Sequence, residues 1–153
     1  MPISPTPPSL LLNSNEFILG LSLADSASAA LLCRLVERIA LRGDILVIVP
    51  HMVEQEVGRN LQALDTRLPR RFYRLLQDLT AQVEYAEPPG DLVQKYRHLG
   101  LATEDAYIAA AAEHTGVRYF ISENRHFLQR LRTDSFAVLD AATCLEMMDR
   151  DKL

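Results

Sequence analysis

Several things are scarce in this sequence, and each scarcity narrows the reading. Cysteine occurs twice in 153 residues, at Cys33 and Cys144. Neither belongs to a CxxC pair or a Cys/His cluster, which removes disulfide frameworks and zinc sites as organising elements. Both lie in apolar, helical-looking contexts, ALLCRLV and AATCLEM, so both are expected as buried free thiols. No apolar run reaches the roughly 18 residues of a membrane span. The opening MPISPTPPSL lacks a basic region and has prolines where a signal peptide would be apolar. By elimination, the expected location is cytoplasmic. Positive charge is short as well: 16 Lys and Arg stand against 20 Asp and Glu, for a net charge of −4. That balance argues against a protein that coats nucleic acid through many phosphate contacts. It leaves room for a local basic rim around an acidic centre. Arg67-Leu-Pro-Arg70-Arg71-Phe-Tyr-Arg74 is such a concentration, with a solvated helix face as its plainer reading. No P-loop, GxGxxG, GxSxG or zinc-ligand spacing is present, so nucleotide-dependent and serine-hydrolase chemistries have no anchor.

What is present is ordinary globular composition, 48% apolar and 24% charged. A chain of this length buries about two thirds of its unfolded surface and needs no disulfide or structural metal to fold. Residues 1–8 carry four prolines and read as an extended tail, leaving 9–153 as one domain. Ser9-Leu-Leu-Leu12 is a short apolar run bounded by turn formers, which suits a buried strand. A helix follows to about Leu23, and Asp25-Ser-Ala-Ser caps a longer one running to Gly43. Asp44-Ile-Leu-Val-Ile-Val-Pro50 is β-branched at most positions, as in a parallel strand covered on both faces. His51 to about Leu64 is helical, with Val53, Val57 and Leu61 on one stripe. A helix from Arg70 to Gln82 and a weak strand at Val83–Ala86 come next. Asp91–His98 is a short helix, and Thr103 caps another that ends at Gly116. Val117–Ile121 is a strand, a short helix holds Phe127 and Leu131, and Phe136–Leu139 is the last strand. Ala141–Met148 closes the chain. Strands alternating with helices imply crossover units in a mostly parallel sheet. In such sheets the ligand site lies beyond the carboxyl ends of the strands, here after Leu12, Val49, Ala86 and Ile121.

Polar residues gather at those ends. Asn13 and Asn15 follow the first strand, where turn and cap chemistry is their commonest use. Glu54 and Glu56 fall on opposite flanks of the Val53–Val57–Leu61 stripe, and spacing alone does not choose between them. Asp105 heads an apolar helix face with Ile108, Ala109 and Ala112. A carboxylate facing burial needs a partner or a cation, or else satisfies free N–H groups of the first helical turn. Ser122-Glu-Asn-Arg-His-Phe127 adds further polar groups. His51 and His126 have no metal-ligand spacing and read as structural or surface residues.

Three blocks in this order resemble the PIN-domain family. LLLNSNEFI resembles its opening strand and turn. VIVPHMVEQEVGRNL is similar to its strand, proline and glutamate-bearing helix. LATEDAYIAAAAEHTGVRYFISENRHF resembles its aspartate-headed helix, strand and acidic turn. The resemblance implies a three-layer α/β/α sandwich with a mostly parallel sheet of four to five strands. It also implies a metal-dependent ribonuclease, whose four acidic side chains hold Mg²⁺ or Mn²⁺ and activate water against a phosphodiester. Matched residue by residue, the site falls on Asn13, Ser14, Glu56, Asp105 and Asn124. Asn13 and Asn124 stand where the family has acids, so the resemblance implies weak Mg²⁺ or Mn²⁺ binding and weakened cleavage. Glu104 and Glu123 are neighbours that offer compensating charge, although Glu104 points about 100° from Asp105. The implied partners are RNA, a cognate antitoxin protein and a second copy of the chain. Two readings from other classes remain open: a degenerate module that binds RNA or protein without cleaving, and an α/β domain whose polar strand ends are only caps.

Overall fold

The computed structural model describes residues 6–153. Five parallel strands form one sheet in the order β3-β2-β1-β4-β5, with helices on both sides. β1 (Ser9–Leu12) lies at the centre, paired with β2 (Leu46–Pro50) on one side and β4 (Tyr119–Ile121) on the other. β3 (Gln82–Glu84) adds outside β2, and β5 (Ala137–Leu139) outside β4. The chain first builds outward from β1 in one direction, then returns and builds in the other. The strand order therefore reverses at β1, and a crevice opens beyond its carboxyl end.

The central strands are apolar because both of their faces are covered. Leu10, Leu11, Leu12, Val47, Val49, Phe120 and Ile121 are all fully buried. Each such side chain contributes about 1.5–3 kcal/mol by leaving water. Around this sheet lie α1 (Ser14–Ser22), α2 (Ala27–Arg42), α3 (His51–Leu64), α4 (Leu68–Asp78), α5 (Gly90–His98), α6 (Thr103–Thr115) and α7 (Ala141–Asp149). Phe17 of α1 meets Phe72 of α4 edge to face at 5.1 Å. Gly20 lets α1 approach α2: a Cβ there would come within 2.4 Å of Leu32 Cδ1 and 3.3 Å of Ser28 O. α6 carries Ala109–Ala112, all buried, which brings its backbone close to the sheet. It ends at Gly116, whose φ of 71° is the left-handed closure glycine permits.

The expected sheet and helix order is present, and several boundaries move. The proline-rich tail reaches into the fold sooner than expected, because Pro8 O accepts the Leu46 N–H at 3.0 Å; residues 1–5 lie outside the described residues. α4 starts at Leu68 and stops at Asp78, before Gln82, because Thr80 turns the chain with φ 49° and releases Gln82 into β3. Thr103 does not cap α6: it is the first helical residue, and Ala102 holds the cap position without a side-chain bond. The segment around Phe127 is a single π-helical turn, His126–Arg130. Cys144 is buried, but Cys33 is exposed, since the inward stripe of α2 is Leu31, Leu32 and Leu35. Among the described residues, no single helix is long and apolar enough to cross a membrane.

Candidate functional site

The crevice at the end of β1 is a cleft of about 170 Å³ lined by Asn13, Ser14, Asn15, Glu56, Glu104, Asp105 and Asn124, with Ile18, Met52, Ile108 and Phe127 as its apolar floor and walls. All five residues matched by resemblance therefore meet in one place, contributed by β1–α1, α3, α6 and the segment after β4.

Each is positioned by local chemistry. Asn13 is the N-cap of α1: its Oδ1 accepts the Ser14 N–H at 2.8 Å, and its own N–H donates to Ile121 O at 3.0 Å. Its Nδ2 donates to Ser122 Oγ at 3.0 Å. That same oxygen accepts the Asn124 N–H at 3.0 Å, and Asn124 Oδ1 accepts the His126 N–H at 2.9 Å. Fully buried Ser122 thus ties the two asparagine positions together. Both amide oxygens perform the turn and cap chemistry that is the usual work of asparagine, and each retains a second lone pair.

The two acids differ in support. β2 ends at Pro50, which starts α3 at once and carries Glu56 to the cleft. Ser14 Oγ donates to Glu56 Oε2 at 2.6 Å, fixing that carboxylate across the crevice. Glu54, the other candidate on α3, faces His51 instead, with Oε1 3.5 Å from Nδ1. Asp105 is half-buried near the start of α6, and its carboxyl is held above its ordinary range. Burial is the largest cause; His126 pulls the other way, and Glu104 and Glu56 push further up. The cleft thus holds negative charge opposed on the protein side by an exposed histidine.

The neighbouring acids divide. Glu104 lines the cleft despite its rotation from Asp105. Glu123 turns away, its Oε2 accepting the Ala141 N–H at 3.0 Å at the start of α7. Behind it lies Glu16, fully buried, which the sequence reading passed over. Glu16 Oε1 accepts the Ser28 hydroxyl at 2.8 Å, and its Oε2 has no hydrogen-bond partner among the described residues. Burial first, and then the Glu123 carboxylate, push its pKa up to about 9. Asn13, Ser14 and Asn15 precede Glu16 directly, so the local sequence pattern gave no sign of its burial.

Among the described residues, no three His, Cys, Asp or Glu side chains gather closely enough to hold a metal ion by themselves. Magnesium asks for less: it keeps several waters and is held through one or two carboxylates together with substrate phosphates. Glu56 and Asp105 face the same cleft, beside the side-chain oxygens of Asn13, Ser14 and Asn124, and the Glu56 charge helps to hold the Asp105 carboxyl above its ordinary range.

No family model matches the chain, and no curated protein matches it in sequence. Solved structures do resemble it. The crystal structure of PAE2754 from Pyrobaculum aerophilum superposes with a TM-score of 0.65 at 19% identity, over 94% of this chain and 96% of that one. The crystal structure of VapBC2 from Rickettsia felis bound to a DNA fragment from their promoter gives 0.64 at 13% identity, over 86% of this chain and 98% of that one. At such identities the likeness is one of fold. The chain has a PIN-like α/β/α fold, and its polar cleft stands at the point where the strand order reverses.

Proposed function

We propose that this protein is a weakened Mg²⁺- or Mn²⁺-dependent ribonuclease. The observation that carries the reading is the convergence of Ser14, Glu56 and Asp105 on one cleft, where their order along the chain follows the PIN pattern. When bound, the cation supplies a water of lowered pKa and offsets charge on the phosphodiester. The chain's part is to hold the acids in place. Ser14 orients Glu56 by a short hydrogen bond, and the α6 backbone presents Asp105 opposite. Asn13 and Asn124 contribute neutral oxygens, so the site carries two fewer charges than the pattern and binds the ion less tightly. Exposed Arg70, Arg71 and Arg74 on α4 offer phosphate contacts outside the cleft. A role as the toxin of a toxin–antitoxin pair, with an antitoxin protein and a second copy of the chain as partners, rests on the same resemblance.

A second reading has its own support: two neutral amides, Asn13 and Asn124, line the cleft beside its acids, which suits a domain that binds RNA or protein without cleaving it. Incubating a labelled single-stranded RNA with the protein in Mn²⁺ separates the two. Cleavage lost in Glu56→Gln and Asp105→Asn supports the ribonuclease; binding without cleavage in any metal supports the second reading.

A further inference from the structure

A larger cavity of about 310 Å³ lies beside the cleft. The two share Met52 as a common wall. On α3, His51 and Gln55 turn to the cavity while Glu56 turns to the cleft; on α6, Tyr107 turns one way and Asp105 the other. The cavity therefore adjoins the proposed phosphodiester site through Met52. We propose that the cavity is a nucleobase subsite that selects guanine; the assignment rests on reading the neighbouring cleft as the phosphodiester site.

The lining explains both parts of the assignment. Tyr85 is 67% exposed, and its ring lies 4.8 Å from the His51 ring, so an aromatic platform faces solvent where a base can stack. His51 Nδ1 is enclosed and has no hydrogen-bond partner among the described residues, the Glu54 carboxylate at 3.5 Å being too far for one. The His51 and Tyr85 rings are tilted by 40° to one another. The size is at the lower end of pockets that enclose a small organic ligand, ~300–1,000 Å³. No lysine or arginine lines the cavity, so it is not a phosphate pocket. Its charged groups at the β3 edge are instead the carboxylates of Glu84 and Glu87. Glu84 already gives one oxygen to the Ala86 N–H at 2.8 Å, which leaves exposed Glu87 as the carboxylate with the freer pair of oxygens. A carboxylate accepts hydrogen bonds and donates none. Among the four bases, guanine alone presents two adjacent donors, N1–H and the 2-amino group, to one carboxylate. Single-stranded RNA is read in this manner, by stacking on aromatics and bonding to the exposed base edge.

The test is NMR titration of the full-length protein with guanosine, adenosine, cytidine and uridine, followed at the ring signals of His51, Tyr85 and Tyr107. Nucleosides carry no phosphate, so the readout is independent of cleavage and of metal. Guanosine is expected to shift these signals saturably, about tenfold more tightly than the other three. Tyr85→Ala, a change at an exposed position, is expected to weaken guanosine roughly 5- to 160-fold, the range of one base–aromatic stack. Glu84→Gln with Glu87→Gln should leave stacking and abolish the preference for guanosine. Unshifted signals, equal shifts with all four nucleosides, or shifts produced only by agmatine as a guanidinium probe each overturn the assignment. Glu56→Gln and Asp105→Asn are expected to keep guanosine binding; in the parent protein with Mn²⁺, guanosine binding without any cleavage defeats the ribonuclease reading, and cleavage without guanosine preference defeats this one.

Discussion

Ser14 and Glu56, 42 positions apart, are joined by a 2.6 Å hydrogen bond across the crevice at the end of β1. Ser14 is almost fully buried, so its hydroxyl does not exchange this partner freely with water. Hydrogen bonds to charged groups contribute about 1.5–3 kcal/mol. Ser14→Ala is expected to leave the fold intact and to release the Glu56 carboxylate. Calorimetric titration with Mn²⁺ should show roughly a tenfold loss of affinity, the lower part of that range. Unaltered affinity would mean that Glu56 needs no orientation from α1.

Glu16 gives a pH dependence of definite sign. Its folded-state pKa, near 9, lies above the ordinary 4.5, so folding favours its protonated form. That contribution is complete below the ordinary value of 4.5 and is lost as pH rises toward about 9. Glu16→Gln keeps the shape and the Ser28 bond and cannot ionise. The variant should melt several degrees above the parent at pH 8, at about 2–4 °C per kcal/mol for a chain of this size, and close to it near pH 4. Melts across that pH range check this; a gap that does not widen with pH would remove Glu16 as its source.

Arg70, Arg71 and Arg74 are exposed on α4, while Leu68, Phe72 and Leu76 face inward. Reversing the three arginines to glutamate should weaken RNA binding and flatten its dependence on salt, because each phosphate contact releases counterions. The slope of log affinity against log salt is the measurement. An unchanged slope would leave these side chains as a solvated helix face.

The parts of this molecule legible in its sequence are those where burial leaves a pattern. β1 and β2 are covered on both faces and read as unbroken apolar runs, and Asp105 stands out at the head of an otherwise apolar helix face. Spacing placed Glu54 and Glu56 equally well; only the fold shows Ser14 reaching Glu56 and His51 meeting Glu54. Ser122 was not legible as the link between Asn13 and Asn124, because that link depends on β1 and β4 being neighbours. Cys33 was misplaced because an apolar neighbourhood in sequence does not say which side of α2 a residue takes. Glu104 reached the cleft against its helical rotation because the cleft spans more than one face of α6 at its first turn.

The central claim, a metal centre quietened by two amides, is tested most directly by thermal melts with and without Mn²⁺. The protein itself would be compared with Asn13→Asp/Asn124→Asp and with Glu56→Gln/Asp105→Asn. Aspartate at the two amide positions can still accept the Ser14 and His126 N–H groups, so the backbone caps survive. What changes is two added charges beside the cation, in a cleft where screening is weaker than in bulk water. The acid-restored variant should have the lowest midpoint without metal, since crowded carboxylates repel, and the largest rise with Mn²⁺. The acid-depleted variant should have the highest midpoint of the three without metal and no metal-induced rise. If the acid-restored variant melts identically with and without Mn²⁺, the cleft is not a silenced metal centre, and the likeness ends at the fold.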